Sequence, residues 1–223
     1  IKRMDLDTTR KKNSYEEILN AFEEQEIDIL VGTQMISKGL DFNHVGLVGV
    51  LSADQMLNFP DFRAYERAFQ MLCQVSGRAG RKKSGSEVII QTFQPEHEVL
   101  KLVEDHNYKD LLKGQLQERQ AFRYPPYHRL IHITVRHRNR RVVEEASSLL
   151  AKSMRTVFEH RVLGPEYPAF ERLKGYYQKQ ILLKVERNLS YPDSKNKLNR
   201  FVNAILSQPN FRGSKIRVDV DPF

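Results

Sequence analysis

The sequence predicts an α/β protein in two parts: a parallel sheet with flanking helices, then a smaller, basic α+β domain. Three observations point there. Short β-branched runs at Ile27–Gly32, Val45–Leu51 and Glu87–Thr92 alternate with amphipathic segments in the first half, the pattern of a parallel layer. The stretch Arg123-Tyr124-Pro125-Pro126-Tyr127 stops helix formation and biases Tyr124 to an extended conformation. Beyond it the periodicity reads β-α-β-β-α-β. The division expected is 1–95, a helical linker over 96–126, and 127–223.

In order, Ile1–Asp5 reads as a strand end. Ser14-Tyr15-Glu16-Glu17 is a capping box opening a helix to about Gln25, with Tyr15, Ile18, Leu19 and Phe22 inward. Ile27–Gly32 and Val45–Leu51 fit buried parallel strands. After Pro60, the spacing of Tyr65, Phe69, Leu72 and Cys73 predicts a helix over 63–76. Glu96–Arg119 is helix-prone, with Val99, Leu100, Val103, Tyr108, Leu111, Leu112 and Leu116 available for packing. The second domain should have a strand at Leu130–Arg136 and a helix from Val142 to about His160. A short strand follows at Arg161–Pro165, then a longer one at Tyr176–Val185 with Phe170–Leu173 beside it. A helix over Pro192–Leu206 and a strand over Lys215–Val220 complete a ferredoxin-like order.

Charge narrows the function. The 223 residues carry 36 Lys+Arg and 28 Asp+Glu, a formal charge of +8. It is unevenly placed: 127–223 holds 19 basic and 9 acidic residues, while 1–95 holds 12 and 13. An anionic partner for the second half is implied, and Arg136, Arg138, Arg140 and Arg141 cluster where its first strand meets its first helix. The single Cys73 excludes an internal disulfide and a cysteine-based zinc site within this chain. No metal site is expected. The sequence has no apolar run near the ~20 residues that cross a bilayer and no secretory signal pattern, so a cytoplasmic protein without a membrane partner is expected. Beginning at Ile1, it reads as a fragment of something longer.

Two stretches carry chemistry. In Gln74-Val75-Ser76-Gly77-Arg78-Ala79-Gly80-Arg81, two arginines follow glycines at the end of an amphipathic segment. Their guanidiniums stay charged and present a rigid fork of donors suited to phosphate oxygens. Gly77 and Gly80 would let the backbone turn sharply and approach a ligand. A helix C-terminus followed by basic surface residues accounts for the same octapeptide. In Gly32-Thr33-Gln34-Met35-Ile36-Ser37-Lys38-Gly39-Leu40-Asp41-Phe42, hydroxyl, amide, ammonium and carboxylate groups follow a strand, where α/β sheets bind ligands. An ordinary loop with a solvated Lys38 is the plain alternative.

Together the two stretches are more specific than either alone. Gly-Thr-Gln-Met-x-x-Lys-Gly-x-Asp-Phe followed by Gln-x-x-Gly-Arg-Ala-Gly-Arg resembles motifs V and VI of superfamily 2 helicases, in the second RecA-like lobe. Arg3-Met4-Asp5-x-Asp7-Thr8-Thr9, Ala53-Asp54-Gln55 and Phe59-Pro60-Asp61-Phe62-Arg63-Ala64 resemble the primosomal replication-restart helicases. In the second half Tyr124-Pro125-Pro126-Tyr127, Gly164-Pro165 and Asp219-Val220-Asp221-Pro222 extend that likeness.

The resemblance implies that Gln74, Gly77, Arg78 and Arg81 reach ATP phosphates across a cleft, with Arg81 the finger. It implies that Gly39 and Asp41 couple nucleotide to DNA, and that Thr33, Gln34 and Lys38 lie near the bound strand. ATP with Mg2+ would be held mainly by a first lobe, because no Gly-x-x-x-x-Gly-Lys-Ser/Thr loop occurs in this sequence. Zinc would belong to a segment upstream. Forked and single-stranded DNA, single-stranded DNA-binding protein and other primosome proteins are the implied partners.

Two other classes fit parts of the sequence. One is a different superfamily 2 translocase, such as a branch-migration helicase. The other is a non-enzymatic nucleic-acid-binding module, suggested by the basic second half. Lys174-Gly175-Tyr176 begins like an RNA-recognition RNP1 motif, but Tyr177, Gln178, Lys179 and Ile181 depart from it.

Overall fold

In the computed structural model the chain divides into two units, Ile1–Gln115 and Leu116–Phe223. The described residues are 1–5, 7, 14–33, 44–77 and 86–222. The first unit opens with β1 (Lys2–Met4), α1 (Ser14–Glu23) and β2 (Leu30–Gly32). β1 and β2 pair in parallel, Met4 against Gly32, and Met4 and Ile18 are buried. Next come β3 (Leu47–Val50), α2 (Asp54–Leu57), α3 (Ala64–Ser76) and β4 (Glu87–Ile90). β3 and β4 are also parallel, with Val50 opposite Ile90. After them stand α4 (Glu98–Glu104) and α5 (Tyr108–Ala121), inside which the boundary between units falls.

The alternation of strands and helices and the parallel pairing follow the sequence pattern, but strand burial does not. Val31, Leu47 and Ile89 are 46%, 57% and 55% exposed. Parallel strands are buried when helices cover both faces. Among the described residues, Val50 and Ile90 pack on the cluster formed by α2, α3, α4 and α5, and the alternate residues lack such cover. That cluster includes Leu57, Ala68, Phe69, Leu72, Val99, Leu100, Val103 and Leu111. In α1 only Ile18 is buried, and in the helical region beyond β4 Tyr108 and Leu112 are exposed while Gln115 is buried.

The second unit contains β5 (His128–His137), α6 (Arg140–Phe158), β6 (Val162–Glu166), β7 (Arg172–Leu173), β8 (Tyr176–Glu186), α7 (Tyr191–Leu206) and β9 (Lys215–Val220). Its strands form one antiparallel sheet in the order β6-β8-β5-β9, and β7 pairs with β8. Ile131, Ile133 and Val135 of β5 share a core with Ile181, Leu183 and Val185 of β8. Ala146, Leu150 and Met154 of α6 and Leu198, Val202 and Ile205 of α7 complete it, so both helices cover the same face. Strand residues alternate between faces, which leaves Arg136, Gln178 and Lys215 on the side away from the helices.

Helix starts are set by caps. Asn139 accepts from the Arg141 N–H at 2.9 Å, beginning α6 before the first apolar residue, Val142. Ser190 accepts from the Asp193 N–H, with Pro192 in the first turn of α7. Between β7 and β8, Lys174 (φ 48°) and Gly175 (φ 82°) form a two-residue connection with both residues left-handed, the geometry of a type I′ hairpin. The Lys-Gly-Tyr resemblance to RNP1 is therefore turn chemistry.

Candidate functional site

In the first unit, the two motif stretches emerge from different elements. Thr33 is exposed immediately after β2. Gln74 is exposed in the last turn of α3, and Gly77 follows that helix. Gly77 has φ −66°, and its N–H donates to Cys73 O at 2.9 Å, so it extends the helix. The sharp turn expected at Gly77 is not made there. A Cβ at this position would lie 3.3 Å from Cys73 O, so close approach within the helix is what the missing side chain permits. Among the described residues no hydrogen bond links Thr33 to Gln74 or Gly77. Gln34, Lys38, Gly39, Asp41, Arg78 and Arg81 lie outside the described residues.

What positions α3 is well defined. Asp61 accepts from the Arg63 N–H at 2.9 Å and pairs with Arg67 at 2.9 Å, with only 10% of its side chain exposed. It thus fixes the first turn of the helix whose last turn carries Gln74. Asp54 accepts from Thr92 Oγ1 at 2.9 Å and from the Phe93 N–H at 3.2 Å, tying the segment after β3 to the segment after β4. Both carboxylates belong to the signature segments Ala53–Gln55 and Phe59–Ala64, but the sequence pattern gave them no role. Their polar partners carry no signal in the apolar periodicity. Burial pushes the Cys73 thiol up, which suits a packing residue rather than a nucleophile.

The four arginines of the second unit separate into two kinds. Arg140 lies 3.0 Å from Glu171 and 3.3 Å from Glu144, and its Nε donates to the Tyr167 hydroxyl at 3.2 Å. The Tyr167 O–H donates to Glu144 at 2.6 Å, and this bond first, then the charge of Arg140, holds the Glu144 carboxyl below the usual carboxylate range. Arg141 pairs with Glu145 at 2.7 Å, one turn further along α6. Arg136 and Arg138 have no carboxylate partner among the described residues. Arg138 lies 5.7 Å from the Tyr176 ring centroid, and Lys215 reaches the same ring at 4.9 Å.

The Tyr-Pro-Pro segment is fastened to this unit's sheet. Lys184 of β8 donates from Nζ to Phe122 O at 2.7 Å and lies 3.8 Å from the Tyr124 ring centroid. Burial, then the Arg123 charge, holds its ammonium below the usual lysine range. Among the described residues no group of three or more His, Cys, Asp or Glu is placed to hold a metal ion, and no helix is long and apolar enough to cross a membrane.

Comparison with known proteins assigns each unit. Residues 1–83 match the helicase conserved C-terminal domain, and residues 120–223 match the primosomal protein N C-terminal domain. The chain is 38% identical over 223 residues to the replication restart protein PriA of Bacillus subtilis, covering 99% of this chain and 27% of that protein. It is 43% identical to PriA of a Synechocystis species, over 99% of this chain and 26% of that protein. For Treponema pallidum PriA the identity is 34%, over 100% of this chain and 33% of that protein. The chain thus spans about a quarter to a third of the length of these relatives. With a helicase-type unit and a primosomal-type unit joined in one continuous match, the chain belongs to the PriA family of replication restart proteins.

Proposed function

We propose that this chain is the C-terminal part of an ATP-dependent, 3′-to-5′ DNA helicase that recognises stalled forks and restarts replication through primosome assembly. The observation carrying this reading is the union of the two unit types, aligned end to end with proteins named for replication restart. ATP, with magnesium neutralising its phosphate charge, would supply the phosphoanhydride bond whose hydrolysis powers movement of the helicase lobes.

This chain's own contribution is charge and position. Arg78 and Arg81 donate to phosphate oxygens, with Arg81 as the finger that stabilises charge in transfer. Gln74 and Gly77, ending α3, set where those arginines emerge. The donor set fits a polyphosphate: Gln74–Arg81 contains two permanent cations and an amide, with no carboxylate to repel it. Gly39 and Asp41 couple the nucleotide to the DNA track, and Thr33, Gln34 and Lys38 contact the phosphates of the bound strand. The P-loop lobe and a zinc module lie in the rest of the longer protein.

The second unit, read as ferredoxin-like from its strand order, contacts forked and single-stranded DNA through its basic surface. It docks single-stranded DNA-binding protein and other primosome proteins. A branch-migration translocase would account for the first unit alone, so the match over 120–223 favours the restart reading. The purified 223-residue chain should show no ATP hydrolysis with or without DNA. Robust hydrolysis would overturn the division of the ATP site between this chain and another lobe.

A further inference from the structure

The helix-free face of the second unit's sheet ends in a corner made by three strands. β5 contributes Arg136 and leads into Arg138, β8 begins with Tyr176 and Gln178, and β9 begins at Lys215 after Ser214. Arg136 is paired directly with Gln178 on one side and with Lys215 on the other. All three side chains therefore leave the same face, opposite to Val135 and Ile181 in the core. The type I′ turn at Lys174-Gly175 brings Tyr176 to this edge. At Gly213 (φ 87°) the left-handed backbone passes His137, where a Cβ would lie 3.4 Å from Nε2, and starts β9 beside the corner.

Its electrostatics are those of a site awaiting an anion. Arg138 and Lys215 both lie over the Tyr176 ring, so two like charges are gathered on one small area. Neither they nor Arg136 meet a carboxylate among the described residues, whereas Arg140, Arg141 and Arg217 each do. The two cations, Arg138 first and then Lys215, hold the Tyr176 hydroxyl below the usual phenol range.

Buried polar atoms here also lack partners. Gln178 is 5% exposed, and its Oε1 has no hydrogen bond; Arg136 Nε and Ser214 Oγ are in the same state. Such atoms are rare because each costs desolvation that nothing offsets. The other end of the Gln178 amide is fixed, donating to Phe170 O at 2.8 Å. That bond anchors Phe170, which is 75% exposed, at the edge of the corner.

We propose that this corner is a single-stranded nucleic-acid subsite, in which Arg136, Arg138 and Lys215 hold a backbone phosphate, Gln178 accepts from the nucleotide, and Phe170 stacks a base. The inference rests on the DNA reading of this unit and gives it a place and a strand type. An exposed aromatic ring can stack only on a base freed from its neighbours, which a duplex does not offer. Tyr176 is the positioning residue that holds two of the cations together.

The test is fluorescence anisotropy of a labelled oligothymidylate with the 223-residue chain across a salt series. Phe170→Ala should weaken binding roughly fivefold or more, as loss of one stacked base does. Arg138→Ala and Lys215→Ala should each reduce the log–log salt slope by about 0.7. Lys152→Ala, which removes the same charge from the exposed side of α6, should leave both quantities unchanged. Binding to a duplex of equal length should be insensitive to Phe170→Ala. Wild-type behaviour of the three corner variants, or an equal loss in Lys152→Ala, would overturn the subsite while leaving the DNA reading standing. Failure of the unsubstituted chain to bind either DNA would overturn both.

Discussion

The Asp54 carboxylate, at the start of α2, accepts the Thr92 hydroxyl at 2.9 Å across 38 residues of sequence, and the Phe93 N–H beside it at 3.2 Å. One side chain thereby joins the segments that follow two paired strands, and α2 starts from the same residue. Asp54→Ala removes the acceptor for two donors and should destabilise the first unit by about 1–3 kcal/mol. Asp54→Asn keeps one acceptor oxygen and should lose less. Urea denaturation of the two variants measures the difference, and equal losses would show that the carboxylate is not the latch.

Acid should loosen the second unit through Glu186. Arg161 Nε donates to its carboxylate at 2.7 Å, and both side chains are mostly buried. This hydrogen bond first of all holds the Glu186 carboxyl below the usual carboxylate range. A lowered folded pKa adds stability that is complete above the unfolded value of about 4.3 and is lost as pH falls through the folded value. Glu186→Gln should therefore cost about 1–2 kcal/mol at pH 7, and its deficit relative to wild type should shrink in acid. A deficit independent of pH would contradict the pairing.

Lys184 should act in the opposite pH range. Its ammonium is held below the usual lysine range, so the unfolded chain binds more protons between the folded value and about 10.4. Stability then rises with pH across that window. Lys184→Met should abolish this rise. Tyr124→Leu removes the ring 3.8 Å from Nζ and should cost about 0.5–2 kcal/mol near neutrality. Denaturation midpoints between pH 7 and 10 check both effects.

The engaged arginines should matter less to DNA than the unpaired ones. Arg141, 85% exposed in its side chain and paired with Glu145, should be replaceable by Ala with a change in DNA affinity of twofold or less. The same substitution at Arg138 should lower affinity measurably, and anisotropy titrations at one salt concentration compare the two.

Much of the fold was legible because it depends on local periodicity. The strand Lys215–Val220 falls where the alternation places it, and the helices over 64–76 and 191–206 follow their apolar spacing. Burial was less legible, since Val157 continues the apolar pattern of α6 yet is 42% exposed. The i,i+4 spacing of Arg140 with Glu144 and Arg141 with Glu145 is visible in the sequence, and it separates these arginines from Arg136 and Arg138. Glu171 and Tyr167, which complete the Arg140 network, are brought near only by the fold. The same holds for Asp54 with Thr92 and for Tyr176 between Arg138 and Lys215: each joins residues distant in sequence through strand register.

The central claim is that Arg81 acts on a phosphate held by residues outside this chain. Arg81→Ala, placed in the longer protein that contains both lobes, tests it by DNA-stimulated ATP turnover. The expected result is a fall in kcat of roughly a thousandfold or more, the scale of a lost arginine finger, with the circular dichroism spectrum unchanged. Near-normal turnover in that variant would contradict the account.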